Sequence, residues 1–427
     1  MEAEQQRVLI IGSVWPEPRS SAAGSHMLQI IEQLMLHGCA ITFASAAMPG
    51  ATRADLVALG IHEQTIALNC ASFDEWAHAL DPDIVVFDRF MTEEQFGWRV
   101  EEQCPQALRV LETSDLHCLR EARQQLLKDP ILKQPADLHQ TDIYKSDIYK
   151  VMAQQDITMR EIAAIFRCDV ALMISNFEID LLTRSFSVPA ELLLYCPFLL
   201  DMPDTKKWRS FEQREHFISI GNFLHAPNWD AVQWLKQSIW PAIRAQLPQA
   251  QLHVYGAYTP QKARELHNER EGFLVQGWAE DALSVMAQAR VCLAPLRFGA
   301  GIKGKLADAM LAGTPSVTTS IGAEAMHGNL PWCGVVADDA QAFADAAVNL
   351  YQDETLWLQS QQAGAEILLR CFNKTKQGAA LIAQLEQANE QIGQRRLQNV
   401  VGRMLRHHQH KSTHYMARWI EEKNRNK

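Results

Sequence analysis

Two lysines and an aspartate fall close together in one glycine-rich segment, Leu296-Arg297-Phe298-Gly299-Ala300-Gly301-Ile302-Lys303-Gly304-Lys305-Leu306-Ala307-Asp308. It continues as Ala309-Met310-Leu311-Ala312-Gly313-Thr314-Pro315 and follows the apolar run Val291-Cys292-Leu293-Ala294-Pro295. A glycine-rich turn between a buried strand and a helix lets backbone amides approach an anion, and the helix N-terminus adds a favourable dipole. Lys303 and Lys305 add full positive charge at the same place. Lys305 and Asp308, three positions apart, share one flank of the predicted helix. A cation suited to phosphate beside a carboxylate suited to a sugar hydroxyl points to a site for a nucleotide sugar.

The elements that must hold this segment are legible on both sides of it. Ile302, Leu306, Ala309 and Met310 recur at helical spacing and form an apolar face for packing on a sheet. Gly313 and Pro315 end that helix. Short apolar runs alternate with amphipathic stretches twice along the chain, which predicts two α/β units with mainly parallel sheets. In the first half, strands are predicted at 8–12, 41–45, 84–87, 108–111 and 170–174, with a helix over about 26–36 closed by Gly38. In the second half they fall at 217–221, 252–255, 273–275, 291–294 and 316–318, with a helix over 230–247 and helices from 341 onward. The proline-containing stretch Pro197 to Arg214 reads as a linker. The predicted organisation is a first domain over 1–200, a second over 214–380 and C-terminal helices over 381–427. A polar insertion at about 124–156 carries the direct repeat Asp142-Ile143-Tyr144-Lys145, Asp147-Ile148-Tyr149-Lys150. Two copies cannot build a solenoid, so this reads as a local duplication in a helical or mobile segment.

Composition narrows the class. The 427 residues are 47% hydrophobic and 21% charged, a globular balance. The net charge of −10 argues against a protein coated along its length by nucleic acid or acidic lipid. The tail differs: residues 394–427 hold nine Lys/Arg and two Glu, a charge of +7 against −17 elsewhere. That leaves room for RNA, an acidic membrane surface or an anionic acceptor. His407, His410 and His414 fall on one helical face, but no cysteine or nearby acid completes a metal set. Nine scattered cysteines without a C-x-x-C pair suit a reducing compartment. With no secretory pattern at the N-terminus and no bilayer-length apolar run, the expected location is the cytoplasm, with peripheral contact at the inner membrane face left open.

The second half resembles the retaining, GT-B-fold glycosyltransferases usually placed in family 4, the glycosyl transferases group 1. Matching elements run in order: Ser219-Ile220-Gly221-Asn222-Phe223, Pro227-Asn228-Trp229-Asp230-Ala231, Trp240-Pro241 and His253-Val254-Tyr255-Gly256. Val275-Gln276-Gly277-Trp278, Ala294-Pro295-Leu296-Arg297, the lysine segment and Ile321-Gly322-Ala323-Glu324-Ala325 complete the series. The first half is similar more loosely, through its first strand, the loop to Gly24 and Thr113-Ser114-Asp115-Leu116-His117. The resemblance implies two Rossmann-like domains facing across a cleft, with a C-terminal helical extension crossing back over the first domain. It implies that Asp308 stands at the ribose-binding acidic position, usually a glutamate, and that Lys305 is the diphosphate lysine. The family's other acidic position falls at Ala300, replaced by a loop whose amides, Gly299 to Ile302, would meet sugar and phosphate. Where many relatives carry an arginine, this chain has Asn222 after Gly221, and Lys303 is the substitute cation. Gly24 matches the glycine whose loop backs the donor, Gly277 precedes a loop that meets the base, and His117 matches a histidine near the reacting carbon.

The implied reaction passes a sugar from a nucleoside-diphosphate sugar to an acceptor with retention, the leaving phosphate taking the acceptor proton. The chain shows no carboxylate pair for double displacement and no Asp-x-Asp motif, so neither protein nucleophile, metal nor cofactor is implied. Lys305 and His117 are the expected catalytic residues. A surface glycan or lipid-linked glycan is the family's common acceptor. A GT-B sugar-nucleotide epimerase and a non-catalytic nucleotide-sugar-binding module remain alternatives. Glu324 reads most simply as a first-turn helix acid. Base, sugar, acceptor and oligomeric state are not set by the sequence.

Overall fold

The computed structural model describes residues 5–50, 52–128 and 147–425. Most of the polar insertion, with the repeat's first copy, lies outside them. Of the second copy, Ile148 and its helical neighbour Met152 are buried in the first domain's core, on helix Asp147–Gln154.

The first domain has one seven-stranded sheet, built from β1 (Arg7–Gly12), β2 (Ala40–Ser45), β3 (His62–Thr65), β4 (Ile84–Asp88), β5 (Leu108–Glu112), β6 (Val170–Met173) and β7 (Leu193–Tyr195). Its order is β3-β2-β1-β4-β5-β6-β7 and every pairing is parallel. The second domain has six strands: β8 (Glu215–Ile220), β9 (Leu252–Tyr255), β10 (Phe273–Gly277), β11 (Ala289–Ala294), β12 (Ser316–Thr318) and β13 (Gly334–Val336). Their order is β10-β9-β8-β11-β12-β13, again all parallel.

Parallel strands joined by helical crossovers are covered on both faces, so their sequences are continuous apolar runs. β1 shows why. Leu9 and Ile11 enter one hydrophobic layer while Val8 and Ile10 enter the layer on the opposite face. Burying each such side chain contributes about 2 kcal/mol. Three strands were not anticipated. β3 reads His-Glu-Gln-Thr at a sheet edge, and β7 and β13 are edge strands of three residues. Edges bury less: β3 carries no apolar run, and in β7 and β13 the apolar stretch is only two or three residues within the strand.

The predicted helix at 26–36 begins earlier, at Ala22. Ser21 caps it, its Oγ accepting from the Gly24 amide at 2.9 Å. The helix expected over 230–247 starts at Ala226 and passes through a π turn at Leu235–Ile239.

The chain crosses between domains twice, and the two crossings are zipped together. Leu200 N donates to Phe372 O at 2.8 Å and Lys374 N to Leu200 O at 2.9 Å. Helix Lys374–Glu390 thereby already lies on the first domain, where Leu381, Leu385 and Ala388 join its core. Helix Val400–Arg425 packs on the same domain through Arg406 Nη1 to Arg167 O (3.0 Å) and Arg99 Nη2 to Glu421 Oε1 (2.7 Å). Its opposite side leaves Val400, Met404, Tyr415 and Trp419 exposed. No helix of the described residues is long and apolar enough to cross a membrane. All nine cysteines are free.

Candidate functional site

In open parallel sheets, ligands bind beyond the carboxyl ends of the strands where the strand order reverses. Here the reversal falls between β1 and β4 in one sheet and between β8 and β11 in the other. The loops leaving β1, β8 and β11 converge on one cleft of about 980 Å³ between the domains. Of the expected donor residues, Gly221, Asn222, Gly299, Ala300, Ile302, Lys303, Lys305 and Asp308 line it.

Lys305 belongs to helix Gly304–Leu311, which has no side-chain cap and turns its amide end to the cleft. Its Nζ donates to Asn228 Oδ1 at 2.7 Å; Asn228 Nδ2 donates to Asn222 O at 2.9 Å. Asn222 Nδ2 in turn reaches Ser20 O in the other domain at 3.1 Å. A Cβ at position 221 would stand 2.7 Å from the Lys305 ammonium, so Gly221 is what admits it. Burial lowers the Lys305 pKa to about 8.

The loop ahead of that helix is clamped from the first domain. Arg123 Nη1 donates to Gly299 O at 2.7 Å, and both its terminal nitrogens meet Glu324, at 2.9 and 2.6 Å. Glu178 Oε1 accepts from the amides of Gly301 (2.8 Å) and Leu116 (3.0 Å), joining the domains through one carboxyl. Gly301 has φ +61, and a Cβ there would sit 2.9 Å from the Asp115 Cβ. Its amide is committed to Glu178, whereas Gly299 and Ala300 remain on the cleft wall. The Ile302 side chain turns down into an apolar cluster with Ile174 and Phe198.

Lys303 is placed differently from Lys305. Its Nζ donates to Gly301 O at 2.7 Å, and the residue is 7% exposed. Burial lowers its pKa to about 8, with Glu324 pulling the other way. Asp308 is half-buried on the cleft; burial, then the neighbouring Asp281 charge, raises its pKa to about 7. Glu324 is not a first-turn acid. It follows helix Ser320–Ala323 and is buried against Arg123.

Besides Gly301, three expected residues lie off the cleft lining. Gly24 sits in the first turn of its helix, where a Cβ would meet the Glu17 backbone at 2.7 Å, so it shapes the loop from behind. Gly277 has φ +83 and turns the chain into Trp278, which does line the cleft. His117 stands behind Asp115, its Nε2 3.5 Å from Asp115 Oδ1 and its ring edge-on to Phe90. Burial lowers the His117 pKa to about 4, keeping it neutral near pH 7. Burial alone would raise the Asp115 pKa, but Arg120 and His117 outweigh it and hold it at about 2. Asp115 is therefore an ionised carboxylate that faces the cleft from the first domain.

Sequence reasoning passed over Glu178, and left Arg123 and Asp115 without a role. Glu178 carried a local signal, Ser175-x-x-Glu178 at a helix start. In the tail, His414 pairs with Glu102 at 3.2 Å, and the His410 side chain lies outside the described residues. Among the described residues no group of three or more His, Cys, Asp or Glu is placed to hold a metal ion.

The family model described as glycosyl transferases group 1 matches residues 214–353, the segment that builds the second domain's wall of the cleft. A sequence search of curated proteins finds no match. Among solved structures, Anabaena HepE in complex with UDP and glucose is similar with a TM-score of 0.63 at 13% identity. That similarity covers 90% of this chain and 100% of HepE. A sucrose-phosphate synthase from Thermosynechococcus elongatus is similar at 0.63 and 16% identity, over 90% of this chain and 99% of its own. WaaG, a glycosyltransferase involved in lipopolysaccharide biosynthesis, is similar at 0.57 and 13% identity, over 88% and 99%. Two parallel-sheet α/β domains with a helical C-terminal extension across this cleft are the GT-B fold.

Proposed function

We propose that this chain is a retaining, metal-independent glycosyltransferase that takes its sugar from a nucleoside-diphosphate sugar. The observation that carries the reading is Lys305, aimed by Asn228 at the open amide end of a helix on the interdomain cleft. The diphosphate sits there, Asp308 accepts from the ribose hydroxyls, and the sugar lies between Gly299–Ala300 and Asp115. The match to glycosyl transferases group 1 over 214–353 supports it, as does the similarity to HepE, which was solved with UDP-glucose.

As the bond between the anomeric carbon and the β-phosphate oxygen breaks, its electron pair passes to the phosphate. The acceptor oxygen bonds to the same face of that carbon, and its proton moves to the departing phosphate oxygen. Lys305 and the helix end stabilise the growing phosphate charge, the kind of preorganised electrostatics that dominates many enzymes. Asp115, ionised, stabilises the positive charge developing on the sugar, and His117 positions Asp115. The protein's own cations fit a reaction that needs no metal or cofactor.

The acceptor is a surface or lipid-linked glycan entering from the first domain's side. The exposed apolar face of Val400–Arg425, flanked by Arg403, Arg418 and Lys423, suits peripheral contact with an anionic membrane on the cytoplasmic side. Co-sedimentation with anionic but not neutral vesicles tests that contact; equal recovery with both rejects it.

A thermal-shift panel of nucleoside diphosphates and their sugars tests the donor reading, because a ligand bound only by the native state raises the melting temperature. One base should stand out. No shift at millimolar concentration rejects the reading. Once donor and acceptor are identified, the anomeric proton coupling of the product tests retention.

A further inference from the structure

A departing diphosphate gains negative charge, and one lysine at a helix end answers only part of it. Lys303 is not the second cation: its buried ammonium is spent on Gly301 O inside the loop. Asn222, where many members of the resembled family carry an arginine, is uncharged and uses its amide to hold Ser20 O of the first domain. That hydrogen bond points to the replacement.

We infer that Arg19, on the first-domain loop between β1 and helix Ala22–Leu36, is the second cation of the diphosphate subsite, so that both domains hold the leaving group. The inference rests on the donor reading above. An unbroken series of hydrogen bonds, Lys305 to Asn228 to Asn222 to Ser20, ends on the residue beside Arg19. On the other side, a Cβ on Gly304 would lie 2.6 Å from the Ala22 Cβ, so the loop also touches the start of the lysine helix. Glu17 is held by the Tyr258 hydroxyl of the second domain at 2.8 Å. Residues 17, 20 and 22 thus pin the loop against the second domain, and Arg19, between them in sequence, is part of the cleft wall.

Its guanidinium is exposed, and among the described residues no hydrogen bond or ion pair holds it. Its charge acts weakly on the Asp281 carboxylate, which also lines the cleft. A planar, permanently charged fork matches two phosphate oxygens where a lysine meets one. Because Arg19 belongs to the first domain, its full contribution exists only when the domains are closed. Cleavage of the sugar–phosphate bond is then coupled to closure.

The test uses the full chain and the best-binding member of UDP, GDP, ADP, CDP and dTDP, followed by calorimetric titration. Arg19→Ala is expected to weaken that diphosphate more than tenfold and to leave the nucleoside without phosphates unchanged. Arg19→Lys should recover part of the loss. With the donor sugar, kcat should fall further than KM rises, and added guanidinium should restore some rate. Diphosphate affinity within twofold of wild type in Arg19→Ala overturns the inference and leaves the donor reading standing. Equal loss for diphosphate and bare nucleoside overturns it in favour of a structural role for the loop. Failure of the wild-type chain to bind any of the five removes the donor reading and Arg19 together.

Discussion

The Lys305 ammonium donates to the Asn228 side-chain carbonyl at 2.7 Å, and this single contact aims the charge before any ligand arrives. Preorganisation avoids a reorientation cost at the moment of binding. It also exposes Lys305 to pH, because burial has lowered its pKa to about 8.

A bound diphosphate favours the charged lysine and raises its pKa. Lys305's contribution to affinity is therefore complete below pH 8 and is lost as pH rises toward the bound value. Between the two, affinity should fall by about tenfold per pH unit. Titrations of the chosen nucleoside diphosphate at pH 7, 8 and 9 check this. A flat profile would mean that Lys305 does not bear on the phosphate.

Asp308 is expected to read the ribose. The wild-type chain should prefer a ribonucleoside diphosphate over its 2′,3′-dideoxy counterpart by about tenfold, the strength of a charge-assisted hydrogen bond. Asp308→Ala should erase the preference. With burial and Asp281 placing its pKa at about 7, the preference should also shrink below pH 7, as the carboxylate takes up a proton.

Arg123 and Glu324 form a buried bidentate pair 201 residues apart in sequence. Glu324→Gln leaves an uncompensated guanidinium between the domains and should lower stability by about 3 kcal/mol in denaturant unfolding. Replacing both by apolar residues should cost less than that single change. Additive losses would show that the pair does not act as a unit.

His117 is neutral above about pH 5, its pKa lying at about 4 through burial. The rate profile should therefore show no imidazole limb near pH 6.5. Asp115→Asn should lower kcat by about a hundredfold, as for loss of other preorganised charge stabilisers. His117→Ala should act more weakly, with His117→Asn, which can still reach Asp115, retaining more rate than the alanine variant.

Much of the fold was legible because parallel strands buried on both faces announce themselves as apolar runs. Val8 to Gly12 and Val291 to Ala294 are examples. β3 carried no such signal, being a polar edge, and β7 and β13 were too short, three residues each, for their apolar residues to stand out as strands. The loop from Gly299 to Lys305 was visible through its glycines and charges. What each charge does was not. Lys303 and Lys305 stand two residues apart, yet one turns inward to Gly301 O and the other toward the cleft. Sequence spacing distinguishes the flanks of a helix, but Lys303 precedes the helix and its direction is set by Met326, Glu324 and the loop. Arg123 and Glu178 act on Gly299 and Gly301 across 176 and 123 residues, distances at which local pattern is silent.

The central claim is that Lys305 makes this cleft a diphosphate site. Calorimetric titration of the full chain with nucleoside diphosphates, wild type against Lys305→Ala, tests it most directly. The wild-type chain should bind one base best, and the variant should lose at least about thirtyfold in affinity, as removal of a charged hydrogen-bond donor implies. Apo thermal stability should be held or improved, since a buried cation has been removed. Equal affinity in the two proteins, or no binding by either, would contradict the claim.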